Sequence, residues 1–232
     1  GNPRFPVSQR EAIMAHYNDP SQPSAYFDPS ISSSLWTPSA NIDWARELMR
    51  DSYPMQQYNA SISGGSDRFN YYTSVSYLYQ EGIPRHFDEK YNRYNLMSNL
   101  SYDVTEWLNI GSKILINRSD KIYPPDDNRG GYPETFLPIH VNAWPHHPVY
   151  DPNGKYFAAG SVQNMVNLHE DGGYRTRDIN DIWVTGTAVL TPVKNMTINL
   201  DYSANVNNRK EVSYWREMPM YDMDGNIYGY HT

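Results

Sequence analysis

The 232-residue chain contains no cysteine. Disulfide staples and thiolate metal sites are therefore excluded, and cysteine usage says nothing about redox compartment. No run approaches the roughly 18 apolar residues that a helical membrane span requires. That excludes a transmembrane helix but not a membrane β-barrel, whose strands are short and only half apolar. Positive charge is also scarce: 19 Lys and Arg against 26 Asp and Glu leave a net charge of −7. A general affinity for nucleic-acid backbone is not expected from such a chain. The opening GNPRFP lacks an initiator methionine, a basic n-region and an apolar h-region. It reads as a piece from within a longer protein.

Tyrosine is abundant, with 21 residues beside 6 Trp and 6 Phe. A chain rich in Tyr, Asn and Ser suits bacterial surface β-proteins and sugar-binding surfaces alike. Residues 1–54 are punctuated by Pro3, Pro6, Pro20, Pro23, Pro29 and Pro38, which predicts irregular structure. Two short helices are expected there. One runs from Ser8 to Tyr17, with Ser8 as N-cap and Glu11 completing a capping box. The other lies within Asn41 to Met49.

From Gln57 onward the pattern has period two. Residues 55–82, MQQYNASISGGSDRFNYYTSVSYLYQEG, predict two strands around a tight hairpin at Gly64–Asp67, where glycine would supply positive φ. Further strands are expected at Tyr91–Val104, Trp107–Ser119, Ile179–Leu190 and Met196–Val206. One face collects Ile62, Val75, Leu96, Leu100, Ile110, Ile114, Ile198 and Leu200; the other collects Asn59, Ser61, Asn95, Asn99, Asn199 and Asp201. The connections GGSDR, VTE and TPVKN are short, whereas Glu81–Lys90 and Lys121–Arg177 are long. In a meander, successive turns lie at opposite ends of the sheet. Short turns at one end and long loops at the other match the periplasmic turns and extracellular loops of a transmembrane barrel.

The predicted fold class is therefore all-β: an antiparallel meander of about six strands forming part of a transmembrane β-barrel. The Asn/Ser-rich face would line the lumen and the aliphatic face would meet lipid. Tyr77, Tyr79, Tyr91, Tyr102 and Trp107, near strand ends, suit interfacial girdles. Alternation alone also fits a soluble β-sandwich with one wet face, such as a secreted carbohydrate-binding module. The loop asymmetry and the uncharged polar face favour the barrel. The expected organisation is an extracellular loop region with short helices (1–54), four strands (55–120), a long extracellular loop (121–177), a strand pair (178–208) and the start of another extracellular loop (209–232).

Candidate chemistry is sparse. His140, His146 and His147 offer imidazoles, but no spaced carboxylate or cysteine completes a metal pattern. YDMDGNIYG places Gly225 fourth rather than sixth in a calcium-loop frame and lacks the closing glutamate; with YDPNGKYF it predicts two small hairpins instead. Asp126, Asp127, Glu134, Glu170 and Asp171 could supply an acid pair for glycoside cleavage, but no spacing singles them out. No catalytic residue, metal or cofactor is predicted. Ligand contact is the stronger candidate. Tyr132, Phe136, Trp144, His146, His147, Tyr150 and Tyr156 crowd the long loop, where aromatic faces can stack on sugars or pack on one another.

DWARELMRD, PMQQYNASISGGSDRFNYYTSVSYLYQEGI and YNRYNLMSNLSYDVTEWLNIG, followed by PVYDPNGKY, NMVNLHEDGGY and TPVKNMTINLDYS, resemble the start of the barrel in SusC/RagA-type TonB-dependent outer-membrane transporters of Bacteroidetes. The resemblance runs from about Asn41 to Val206. It implies the second to seventh strands of a 22-stranded barrel. It also implies the bacterial outer membrane as location, and energy-coupled import of a glycan or peptide with a SusD-like surface lipoprotein. The plug, the segment that meets the TonB complex and the remaining strands would lie outside these residues.

Overall fold

The structure is a computed structural model in which residues 5–125, 144–158 and 164–231 are described. Helix α1 (Val7–Asn18) is followed by two short strands, β1 (Ala25–Tyr26) and β2 (Thr37–Pro38), and by helix α2 (Trp44–Leu48). Four long strands come next: β3 (Met55–Gly65), β4 (Phe69–Glu81), β5 (Lys90–Thr105) and β6 (Leu108–Tyr123). Helix α3 (Met165–Asp171) precedes β7 (Gly173–Leu190) and β8 (Ile198–Trp215). A small hairpin of β9 (Met218–Tyr221) and β10 (Ile227–His231) closes the described chain.

Strands β3 to β8 form one sheet in chain order, each antiparallel to the next. The predicted meander is the observed one. Its tight turns, at 66–68, 106–107 and 191–197, lie at one end, and the long connections 82–89 and 124–172 lie at the other. We call this sheet the wall. Pairing runs in register, so Val75, Leu96, Ile116, Ile182 and Val206 form one transverse rung. Paired residues share a face. The neighbouring rung, Ser76, Asn95, Asn117, Asp181 and Asn207, therefore looks the opposite way. At Val104 the register shifts between β5 and β6, and that residue leaves its expected row.

Several local expectations are corrected. Strand β7 begins at Gly173 rather than Ile179, and β8 continues to Trp215 rather than ending at Val206. The added stretches take residues from the expected loops at 121–177 and 209–232. YRTRDIND shows no apolar alternation, so period two cannot report it. Ladder pairing and ion pairs hold it instead, with Arg175 and Arg209 at 2.7 and 2.8 Å from the Glu211 carboxylate. Helix α1 starts one residue before the expected cap, and Pro6 occupies the N-cap. The Ser8 hydroxyl donates to Asp28 at 2.9 Å rather than capping. The first hairpin turns at 66–68, and neither Gly64 nor Gly65 has positive φ. Glycine is needed at 65 for space: a Cβ there would lie 2.3 Å from the Phe69 carbonyl oxygen. Tyr91 pairs with Gln80 and Lys121, which puts it on the polar face, away from Tyr77, Tyr79 and Tyr102.

The hydrophobic core lies outside the wall. Trp44 and Leu48 of α2, Met165, Val166 and Leu168 of α3, and Met218 of β9 form one buried cluster, flanked by Ile42, Val149 and Tyr156. The segments at the long-loop end thus assemble into a layer of their own, which we call the cap. Asp43 caps α2 through the Arg46 amide, and Asn164 caps α3 through the amides of Val166 and Asn167.

Candidate functional site

The wall offers two chemically different faces. Ile62, Val75, Leu96, Leu100, Ile110, Ile114, Ile198 and Leu200 all fall on one of them by register. That face is unpacked: Ile62 is 61% exposed and Leu200 57%. Exposed apolar surface on this scale marks contact with a partner, a ligand or a membrane.

Asn59, Ser61, Asn95, Asn99, Asn199 and Asp201 share the opposite face. Its polar groups bond from strand to strand. Asn95 donates to the Ser76 hydroxyl at 2.8 Å, Asn109 to Ser101 and Asp103 at 2.9 and 2.7 Å, and Asn205 to Asp181 at 2.8 Å. Thr185 and Ser203 share a hydrogen bond at 2.9 Å. Short amides and hydroxyls reach the neighbouring strand without the entropy cost of ordering a long charged side chain. The face is not wholly polar, since Met97, Leu115 and Trp183 form one apolar rung across it. Near the cap it becomes cationic. Tyr123 is buried and donates to Glu211 at 2.8 Å, while Lys121, Arg175 and Arg177 lie 5.2–5.6 Å from its ring centre.

The aromatic residues of the long loop serve largely as a seam. Tyr132, Phe136 and His140 lie outside the described residues, as do Asp126, Asp127 and Glu134. His146 and His147 are buried, with ring centres 4.5 Å apart; Trp144 stacks on His147, and Phe157 tilts against it. Burial, and then the neighbouring His146, lowers His147 to about 4. The Trp44 indole donates to the Trp144 carbonyl at 2.9 Å, and the Ala40 amide to the His146 carbonyl at 2.9 Å. These contacts join the first 54 residues to the long loop. Tyr150 and Tyr156 stack at 5.3 Å across a hairpin, where Asp151 accepts from the amides of Asn153 and Lys155. The Asp222 turn repeats this arrangement, with Asp222 accepting from Asp224 and Asn226. Both expected small hairpins are present, and they dock: the Asn153 side chain donates to the Met223 carbonyl at 2.8 Å.

A further seam was not foreseen. His86, on the 82–89 connection, contacts Glu47 of α2 at 3.1 Å through Nε2 and Glu170 of α3 at 2.8 Å through Nδ1. Tyr156 also donates to Glu170. Glu170, one of the carboxylates considered for catalysis, thus links the 82–89 connection to the 124–172 connection. An isolated His86 in GIPRHFDE carries no pattern that announces this role. Beside it His169 is buried, and burial, with His86 nearby, lowers it to about 4.

No family model matches the chain. The TonB-dependent receptor P26 of Formosa agariphila is 26% identical over 180 residues, covering 74% of this chain and 16% of that protein. The TonB-dependent receptor P3 of the same organism is 30% identical over 82 residues, covering 35% and 8%. Among solved structures, the RagAB peptide importer in its closed-closed state superposes with a TM-score of 0.59 at 24% identity, over 81% of this chain. A second structure, of the RagAB peptide transporter, superposes with a TM-score of 0.60 at 20% identity, over 92% of this chain. The chain is similar in sequence to parts of TonB-dependent receptors, and it shares its fold with part of the RagAB chains. It spans 21% and 24% of the two RagAB chains, and less of the curated relatives.

Proposed function

We propose that this segment forms outer-membrane wall and extracellular cap in a TonB-dependent transporter that imports oligosaccharides or other nutrients, peptides included. The observation that carries the reading is the two-faced wall. One face exposes aliphatic side chains along every strand, and the other satisfies small polar groups between strands. In this reading the aliphatic face meets acyl chains. Asn59, Ser61, Asn95, Asn99, Asn199 and Asp201 face the lumen, where a plug, confined water and passing substrate would be met. The Met97–Leu115–Trp183 rung suits contact with a plug. The cap would lie outside the membrane, where a SusD-like lipoprotein could close over it. The segment's role is transport without catalysis. Of the aromatic ligand candidates, Tyr150 is 48% exposed and best placed to stack on cargo; His146 and His147 are consumed by packing.

A lysine in place of Ile114 tests this reading in the full-length protein, because its rung (Thr73, Ser98, Ile114, Val184 and Ala204) lies midway between the rungs of Tyr77 and Tyr102. Lysine on the lipid face costs about 2–4 kcal/mol near the bilayer midplane. Ile114→Lys should prevent accumulation in the outer membrane, while Ser203→Lys, on the opposite face, should accumulate normally. Normal assembly of Ile114→Lys would overturn the assignment.

A further inference from the structure

The aliphatic face ends in an unusual rung. Tyr58, Tyr77, Tyr94 and Arg118 are paired in that order across β3 to β6. The rings of Tyr58 and Tyr77 lie 9° from parallel at 6.4 Å, and those of Tyr77 and Tyr94 lie 29° from parallel at 5.0 Å. The next rung away from the cap is Ala60, Val75, Leu96 and Ile116. Ala60 is too short to fill the space beside the tyrosine shelf. Between the two rungs runs a groove of about 500 Å³, open to the surface, with the Arg118 side chain at one end.

The surroundings of Arg118 are informative. Its partners on the same rung are Tyr94 on one side and Asn180, then Asn208, on the other, so no carboxylate shares the rung. The following rung toward the cap holds two carboxylates: Asp120, which already accepts from the Asn92 amide at 2.8 Å, and Asp178, which is paired with Lys210 across β7 and β8. Arg118 is exposed. An exposed guanidinium at the border between an aliphatic and a polar zone goes against the negative charge of the whole chain, which is −7. Guanidinium is also the side-chain group whose fork matches a phosphate by two parallel hydrogen bonds.

We infer that this groove holds one anionic, phosphate-bearing lipid of the surrounding membrane, its phosphate on Arg118 and an acyl chain along Val75, Leu96 and Ile116. The tyrosine shelf forms the roof at headgroup level and the aliphatic rung the floor. Tyr77 is held in place by donating to Asn92 at 2.8 Å, so the shelf is set before lipid arrives. An ordinary aromatic belt with a snorkelling arginine would border lipid without choosing among headgroups. Selectivity for the anionic headgroup is therefore what separates the two arrangements. The inference rests on the reading that this face meets lipid.

The test uses the full-length protein, extracted from the membrane fraction in detergent. Native mass spectrometry would follow titration with phosphatidylglycerol and, separately, phosphatidylcholine. Wild type should bind one phosphatidylglycerol at least about tenfold more tightly than phosphatidylcholine. Arg118→Ala should remove that preference, and Arg118→Lys should restore it only in part, because a lysine cannot supply the fork. Should Arg118→Ala fail to accumulate, Arg118→Gln and the wild-type preference still decide. Equal binding of the two lipids by wild type, or an unchanged preference in the arginine variants, would overturn the site. Neither result touches the reading of the face itself, which falls only if Ile114→Lys assembles normally.

Discussion

The wall and the cap use their apolar residues in opposite ways. Among the buried apolar residues of the described parts, only Leu78 and Tyr123 belong to the six wall strands; the others, led by Leu48, Val166 and Leu168, lie in the cap. The cap has closed a small core on itself, from a five-residue helix, a seven-residue helix and one strand residue. The wall has closed nothing, and its aliphatic residues are organised by register alone. Two kinds of order follow. The cap depends on side-chain packing between segments far apart in sequence, and the wall depends on hydrogen-bonded ladders between neighbouring strands. Connections as long as 124–172 are tolerated because they carry packing of their own.

This contrast can be broken on the cap side. Trp44 is 5% exposed, sits in the cap core and donates to Trp144 across the seam. Trp44→Ala should destabilise the cap by about 3–5 kcal/mol, the usual range for a buried aromatic. Limited proteolysis of the full-length protein at its surface should show faster cleavage around residues 44–50 and 144–172. The six wall strands should stay uncleaved. Loss of both together would mean that cap and wall fold as one unit.

A smaller effect comes from acid. His147 and His169 are both held neutral, each lowered to about 4 chiefly by burial. The unfolded chain takes up those protons near 6.5. Their contribution to cap stability is therefore complete above about pH 6.5 and is lost as pH falls toward 4, by on the order of a few kcal/mol at most. Hydrogen exchange at the α3 amides, corrected for intrinsic rate, should show less protection at pH 5 than at pH 7. The ladder amides of β6 and β7 should not change. Equal protection of α3 at both pH values would remove the histidines from the account.

The wall was legible in the sequence, and so were α2 and the two small hairpins, but the packing of the cap was not, for a physical reason. A strand with one aliphatic face repeats every two residues, so Met196–Val206 announces its own geometry, and the ends of each tight turn fix the order of pairing. Where both faces are polar, as in residues 174–181, the repeat vanishes although the ladder continues, and the strands outran their expected ends. Helix α2 falls within the expected Asn41–Met49, but α3, in the expected long loop, is too short to show a 3.6-residue period. Their partners are a lone Met218 and a carbonyl at Trp144, which no local pattern connects to residue 44. His86 is the same case in polar form: its role exists only because three connections meet there.

The central claim is that β8 separates two media, and the lack of cysteine in these residues allows it to be read position by position. Single cysteines at each position from 199 to 206, in an otherwise cysteine-free full-length protein assembled in membranes, would be challenged with a water-soluble maleimide. The account predicts alternation: labelling at 199, 201, 203 and 205, and protection at 200, 202, 204 and 206. Uniform labelling, or alternation in the opposite phase, would contradict it.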